Sequence, residues 1–311
     1  MIQIILKRIL QGVPTVFGVT LITFLLFNVA GGDPVSLYLG KSANPKEIEL
    51  MKKEYGLDQP LVSQYTDFLE EIVTFDFGKS FRTRDPVADM LIDRIGPSLS
   101  LTIPSLILIT MIGVGLALIS TYYRGRLFDR MLIFTAVTGM SISFLVYIVV
   151  GQYFLAFEFG LFEIYGYRDS DESRWSYLAL PILIMTTVGV GYDSRYYRAV
   201  MLEERQAAYI LTAHAKGLSD HRIMLRHILS NALIPIISRV MISVPFLVTG
   251  SLLLESFFGI PGTGSLLLES LMSGDLPVIK AFTVLVSILF VLSNIITDLL
   301  YIWADPRVRM Q

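Results

Sequence analysis

The stretch that decides the fold is Ile95–Tyr123, IGPSLSLTIPSLILITMIGVGLALISTYY. It runs for 29 residues without an Asp, Glu, Lys or Arg. A hydrocarbon layer about 30 Å thick is crossed by roughly 20 apolar helical residues, so this run is long enough to span a membrane. The strands of a transmembrane barrel need only about ten residues of alternating polarity. This run is too long and too uniformly apolar for that.

Working outward, the same test finds five more runs. Ile9–Gly32 and Met131–Phe157 are free of charge. Trp175–Tyr192 is shorter, and Ile228–Leu254 is broken by Arg239. Ala281–Thr297 continues past Asp298 to Trp303. The predicted fold class is therefore all-α, a polytopic membrane protein with six transmembrane helices over 9–30, 98–122, 131–157, 176–200, 232–254 and 281–303. A small helical extracytoplasmic segment fills 31–97. The whole composition agrees: 53% of the 311 residues are hydrophobic and 17% charged, against about 25% charged in soluble domains. A net charge of −2 leaves no basic excess to track phosphates, which argues against nucleic acid as a partner. Without cysteine there is no disulfide, thiolate nucleophile or Cys-based zinc site. Lys7 and Arg8 ahead of the first run resemble a signal peptide. The apolar run exceeds the roughly 7–15 residues of a signal core, so it reads as a retained helix.

Orientation follows from Lys and Arg in short loops. Arg124, Arg126 and Arg130 follow the second span; Arg195, Arg198, Arg205, Lys216, Arg222 and Arg226 follow the fourth; Arg307 and Arg309 close the chain. The intervening loops are acidic, with Glu163, Asp169, Asp171 and Glu172 in one, or nearly free of base. Both termini are therefore expected in the cytoplasm. Within 31–97, Asn44-Pro45-Lys46-Glu47 has the cap residue, first-position proline and acidic third position of a helix start. Asp58-Gln59-Pro60 and Asp85-Pro86 resemble further starts. Val62, Tyr65, Leu69, Ile72 and Val73 share one helical face, so this cap needs the membrane part for its core.

Three enzymatic readings fail. Gly40-Lys41-Ser42 and Gly78-Lys79-Ser80 lack the glycine that a phosphate loop carries five residues earlier; Val35 and Val73 stand there. His214, His221 and His227 form no His-Glu-x-x-His pair, so they read as exposed histidines and no metal site is expected. The spans hold no arrangement for intramembrane proteolysis.

The remaining anomaly is Ala207–Pro235, a long cytoplasmic insertion where plain connections take about 2–8 residues. It reads as an Ala-rich helix over 207–217, a Gly217 stop with an apolar Leu218 behind it, and a second amphipathic stretch. YILTAHAKGLSDHRIMLRHILSNALIP (209–235) resembles the cytoplasmic loop of binding-protein-dependent ABC importer permeases, above all the dipeptide/oligopeptide/nickel group. KRILQGVPTVFGVTLITFLLFNVAGGDPV (7–35) is similar to that group's first helix and exit. YGLDQPLVSQY and DFGKSFRTRDPVADML are similar to its external segment. FFGIPGTGSLLLESLMSGDLPVIKAFTVLVSILFVLSNIITDLLYIWADPRVR is similar to its last loop, last helix and tail. The long external segment resembles the B-type subunit.

The resemblance implies a permease subunit in the bacterial or archaeal cytoplasmic (inner) membrane, importing small peptides, not itself an enzyme. Its implied partners are a second, C-type permease subunit, two ABC ATPase subunits, an extracytoplasmic solute-binding protein and membrane lipid. ATP and Mg would be bound by the partner subunits and no cofactor by this chain. It implies an ATPase-coupling helix at 207–217: Ala213, Ala215 and Gly217 as close-contact positions, Tyr209, Thr212, His214, Lys216 and Leu218 around them, and Pro235 closing the motif before helix five. The sequence departs from the group's pattern at Ala207, Ala208, Leu211 and His214, where charges are commoner. Import of nickel chelates, oligosaccharides or another solute stays open, as does an ATP-independent channel or receptor subunit.

Arg239 and Asp298 are costly in a bilayer, roughly 2.5–3.5 kcal/mol each on insertion scales. They are expected either to pair as an intramembrane ion pair, or to have Arg239 snorkel and Asp298 bond a helix end. Asn28, Ser143, Gln152 and Asn294 line the path or bind helices together. The turn with Phe258, Gly259, Pro261 and Gly262 is a candidate outer gate.

Overall fold

The computed structural model describes residues 2–30, 34–39, 44–168 and 171–304. Lys41 and its neighbouring glycine and serine, Arg307 and Arg309 lie outside the described residues, as does the side chain of Trp303. The described chain is helical: α1 Ile2–Phe24 with a π-helical continuation Leu25–Ala30, α2 Pro34–Leu39, α3 Pro45–Glu54, α4 Leu61–Thr74, α5 Val87–Tyr122, α6 Leu127–Ser141 and α7 Phe144–Val150 with a π-helical continuation Gly151–Glu158. There follow α8 Asp171–Arg205, α9 Ala208–Ala215, α10 Asp220–Ile223 running through a π-turn into α11 Leu229–Thr249, α12 Leu252–Phe258, α13 Thr263–Ser273 and α14 Leu276–Ala304.

Among the described residues, five helical segments are long and apolar enough to cross a membrane: Leu10–Val29, Val87–Tyr122, Ser173–Arg205, Asp220–Thr249 and Leu276–Tyr301. A sixth span exists only as a bent pair, Leu127–Ser141 with Phe144–Glu158, at 91°. The continuous third helix expected over 131–157 is thus broken. The Ser141 hydroxyl bonds back to Val137 O at 2.9 Å, and Ile142 is extended (φ −86, ψ 133). Tyr147 Oη donates to Gly139 O at 2.9 Å across the break. Glycine and serine weaken the helix here without changing its hydropathy. Other ends move too: α5 starts at Val87 rather than 98, α8 continues to Arg205 rather than 200, and α11 stops at Thr249 rather than 254. Gly250 follows with φ +65, a left-handed terminator that β-carbon residues resist.

The chain forms two compact units. The first comprises residues up to Leu99, Val248–Ser256 and Ile260–Ile295. Its core gathers Phe24 from α1, Phe68 from α4, Val87 and Leu91 from α5, Leu266 from α13, and Val278, Phe282 and Val284 from α14. A smaller cluster joins Val35, Met51, Phe81 and Leu276. Helices of α3 and α4 length cannot enclose a core alone, and here they share one with α1, α5 and α14. The α3 start forms as the residues dictate: Asn44 Oδ1 accepts from Lys46 N at 3.1 Å with Pro45 in the first turn. Asp275, 2% exposed, ties the 80–82 turn to the start of α14, accepting from Ser80 Oγ and, at 2.9 Å, from Phe81 N.

The second unit comprises Ser100–Leu247, Phe257–Gly259 and the residues from Ile296 on. Its helices approach closely at glycines. A β-carbon at Gly189 would lie 2.4 Å from Ile109 Cδ1, the small-residue contact usual between membrane helices. Its core joins Ala117, Tyr197, Met201, Ile210, Ala213, Ile223, Met224, Ile228, Ala232 and Ile236.

Candidate functional site

The insertion between α8 and α11 is a built structure. Ala207 is extended (φ −66, ψ 144) and starts α9 without a side-chain cap. Tyr209 supplies the fastening instead. Its hydroxyl donates to Glu204 Oε2 and accepts from Asn231 Nδ2 at 2.9 Å. Asn231 Nδ2 also donates to His227 O at 2.9 Å. Partial burial and the Glu204 carboxylate push the Tyr209 hydroxyl up to about 12, so it stays protonated as the donor. Arg205 donates to Thr121 O, fixing the end of α8.

The other end of α9 closes as a Schellman motif. Gly217 has φ +77; its N–H bonds to His214 O at 2.9 Å, and Leu218 N–H reaches Ala213 O at 3.3 Å. Leu218 then packs on the buried cluster that holds Ile210 and Ala213, the apolar contact this motif favours. One of the residues expected at the site changes character. Ala213 is 5% exposed: it faces the chain's own core, because α9's 3.6-residue repeat puts it on the Ile210 side. An added β-carbon at Gly217 meets nothing of this chain within 4 Å, while its φ of +77 is one that β-carbon residues resist. The outward face comprises Tyr209, Leu211, Thr212, His214, Ala215 and Lys216, with Leu211 73% exposed. His214 Nδ1 lies 3.7 Å from Asp220 Oδ1, both exposed, a pair worth little in water. Pro235 does not precede helix five. It lies inside α11, leaving the Asn231 carbonyl without its i+4 donor.

Arg239 is paired, but with Asp193 rather than Asp298: Nε donates to Asp193 Oδ1 at 2.9 Å. Its guanidinium also lies 5.8 Å from the Tyr196 ring centroid. Asp193 Oδ2 accepts from Tyr197 Oη at 3.3 Å. The expectation considered only the charges that break the apolar runs; Asp193 lies just past the fourth charge-free run, yet inside α8, which continues through Arg205. A second pair was missed altogether. Arg198 grips Asp129 bidentately, Nε to Oδ1 and Nη2 to Oδ2, both 2.9 Å. Ser120 Oγ donates to the same carboxylate, and Gly125 N does so at 2.9 Å. Asp129 is 2% exposed. The clasp joins α5, α6 and α8. The available sign was one acid, Asp129, among Arg124, Arg126 and Arg130.

The candidate gate turn divides between the units. In the second unit, Phe258 is 1% exposed and its carbonyl accepts from Gly166 N at 2.8 Å. Gly259 (φ +67) has the Tyr165 ring where a β-carbon would go, 2.3 Å from Cζ. In the first unit, Gly262 backs onto Glu255, a residue that sequence reasoning passed over. Glu255 is fully buried. Its Oε1 accepts from Ser98 Oγ at 2.8 Å and Ser251 N at 3.0 Å, and its Oε2 from Ser265 N at 2.9 Å. β-Carbons at Gly250 and Gly262 would come within 2.0 and 2.4 Å of this carboxylate. Burial pushes the Glu255 carboxyl above the usual carboxylate range, while the cage's hydrogen bonds pull it back.

Similarity to known proteins agrees with this architecture. Residues 109–310 match the family described as binding-protein-dependent transport system inner membrane component. Residues 1–102 match its N-terminal membrane component. The glutathione transport system permease protein GsiC of Escherichia coli (strain K12) is 35% identical over 310 residues, 99% of each chain. A protein of Brucella abortus (strain 2308), provisionally named a peptide transport system permease protein, is 33% identical over 312 residues, again 99% of each. These full-length matches, on a chain of membrane-spanning helices, place it in a multi-pass inner-membrane family that works with a binding protein and an ABC ATPase. The chain belongs to the binding-protein-dependent transport system inner membrane components, as a permease subunit of an ABC importer.

Proposed function

We propose that this subunit imports short peptides and is driven through the outward face of α9 by an ATPase subunit seated on it. The peptide class rests on the names of the relatives. In this reading a second, C-type permease subunit completes the path, and two ATPase subunits carry ATP and Mg. A solute-binding protein delivers substrate from outside. Both termini are cytoplasmic, which the Lys and Arg bias of the loops supports. Phe258, Gly259, Pro261 and Gly262 form part of the outer gate, supported by the tight seating of Phe258 and Gly259.

The observation that carries the proposal is the asymmetry of α9. One side is locked into the core by Ile210 and Ala213; the other holds Leu211 73% exposed beside Thr212, Ala215 and Lys216. A small apolar anchor on a rigid, otherwise polar rim is what a partner's groove uses as a binding centre. A nucleotide-driven motion of that partner would then be passed to α8 and α11, to which α9 is fastened by Tyr209. The test is Leu211→Asp in the assembled transporter. Expected is a loss of at least about tenfold in transport and in substrate-stimulated ATP hydrolysis, with the subunit still folded. Unchanged coupling in that variant would overturn the docking role. Uptake independent of ATP would instead favour a channel, and a panel of peptides, nickel chelates and oligosaccharides would separate the remaining substrates.

A further inference from the structure

The first unit holds a cavity of about 470 Å³ on its external helical part, remote in sequence from α9. Its walls come from α3, α4, the 77–81 turn and the start of α14. Tyr55, Phe77 and Phe81 supply aromatic surface, and Glu71 and Lys280 supply opposite charges. Lys280 projects its ammonium over the faces of Phe24 and Phe68, with centroid distances of 5.9 and 5.5 Å. Cation–π contact stabilises an ammonium but offers its N–H groups no acceptor in line. Among the described residues, Lys280 Nζ and the Glu71 carboxyl make no side-chain hydrogen bond, and they form no ion pair with each other within 4 Å. Of the other acids lining the cavity, Glu54 is already taken by Arg84 Nη1, at 2.9 Å to both oxygens, and Asp67 is exposed to solvent.

A half-buried cation and a half-buried acid that line one cavity without bonding each other are an incomplete electrostatic arrangement. Partly desolvated charges are expensive unless hydrogen-bonded. The Glu71 carboxyl registers that cost: burial pushes it up to about 7, despite the opposing pull of Lys280. A cavity of this size falls within the range of small-molecule sites, roughly 300–1,000 Å³. It exceeds what two side chains need to reach each other.

We propose that this cavity is a binding site for a small zwitterion carrying a free ammonium and a free carboxylate, the carboxylate on Lys280, the ammonium on Glu71, and any side chain against Tyr55 and Phe77. A short peptide and a free amino acid share that chemistry. The peptide alternative rests on the substrate reading above and would make the site a waiting position on the permease itself. The amino acid alternative would make it an effector site.

The experiment uses the assembled transporter in nanodiscs, without the solute-binding protein, and titrates four probes by calorimetry: dialanine, N-acetyl-dialanine, dialanine amide and alanine. Saturable binding of dialanine is expected, weakened at least about tenfold by blocking either end, the scale of one lost hydrogen bond to a charged group. Lys280→Met keeps the stem packed on Phe24 and Phe68. In it, dialanine and dialanine amide should bind alike; in Glu71→Gln, dialanine and its acetylated form should bind alike. This exchange of preferences is a readout that simple misfolding does not produce. Alanine binding as tightly as dialanine assigns the effector role, and weaker binding by more than about tenfold assigns the peptide role. Binding that ignores the blocked ends, or is unchanged in both variants, overturns the site. So does no binding of dialanine while binding-protein-delivered peptide still stimulates ATP hydrolysis, and that result leaves the proposed function standing. Absence of any peptide transport would strike the proposed function instead.

Discussion

The Glu255 cage and the α9 segment are both tight turns around short helices, and they close in opposite ways. At Glu255 the polar groups converge inward: two backbone N–H groups and a serine hydroxyl meet one carboxylate, and glycines leave no room for anything else. At α9 only one side is satisfied. Tyr209, Gly217 and Leu218 fasten its ends, Ile210 and Ala213 root it, and the opposite face stays open with Leu211 at its centre. A turn that closes on itself serves the fold, and a turn rigid on one side and open on the other serves a partner. If so, substitutions should separate: large losses of stability at the first, small ones at the second with function affected out of proportion.

The largest effect is expected for Glu255→Ala. Ser251 N and Ser265 N cannot turn to other acceptors, and each buried donor left unpaired costs about 1–3 kcal/mol. A total near 3–5 kcal/mol would remove most folded protein, read as solubilised yield and thermal midpoint. Glu255→Gln retains an acceptor and should be milder. An Ala variant with a normal midpoint would break the comparison, because the cage would then hold nothing.

Asp129→Ala comes next. It leaves the Arg198 guanidinium, 18% exposed, beside Ser120 with no carboxylate, a loss of about 3–5 kcal/mol when one partner of a buried pair is removed. Removing both, with Asp129→Ala and Arg198→Met together, should recover much of it, since the cost lies in the orphaned charge. Equal losses in the single and double variants would show that the pair's geometry, joining α5, α6 and α8, matters more than its charge.

Glu71 provides a control inside the first unit, an acid without a cage. Its folded value, about 7, stands above the ordinary 4.5. Between those pH values the folded state keeps a proton that the unfolded chain has lost. Stability from this group is therefore full below pH 4.5 and falls as pH rises towards 7, by up to about 3 kcal/mol. Glu71→Gln should flatten that part of the stability profile. A profile rising with pH through the same window, and unchanged by the substitution, would contradict the assigned burial.

What could be read from the residues follows the same division between local and distant causes. Charge-free runs mark the spans because each run carries its own evidence, as do the Asn44-Pro45 start and the Gly217-Leu218 stop. The bend at Ser141–Ser143 escaped because apolarity is the same on both sides and Tyr147 reaches back to Gly139 only in three dimensions. Asp193 escaped as a partner because it stands one residue past the charge-free run Trp175–Tyr192, among charges that look like an ordinary cytosolic end. Glu255 left no trace at all: a lone acid in an oily turn has no spacing, and Ser98 is far away along the chain. Ala213 was assigned to the wrong side for a related reason. A small residue suits a partner's groove and the chain's own core equally well, and only the packing of Ile210, Met224 and Ile228 decides.

The smallest expected stability effect is also the sharpest test of α9. Gly217→Ala meets no steric obstacle within the chain, since none of its atoms lies within 4 Å of the added carbon. Its cost is the left-handed backbone alone, about 1–2 kcal/mol. Gly217→Asn should recover part of that, because asparagine tolerates this region better. If α9 only connects α8 to α11, both variants should transport in proportion to the folded subunit present. If α9 is the part a partner grips, relaxing its end lets Leu211 shift relative to the buried Ile210 and Ala213. Transport per folded subunit should then fall in Gly217→Ala and return partly in Gly217→Asn, while basal ATP hydrolysis by the assembly stays constant. Conformation and contact can be told apart here because the two asymmetries, a glycine without neighbours and a leucine without cover, sit on the same short helix.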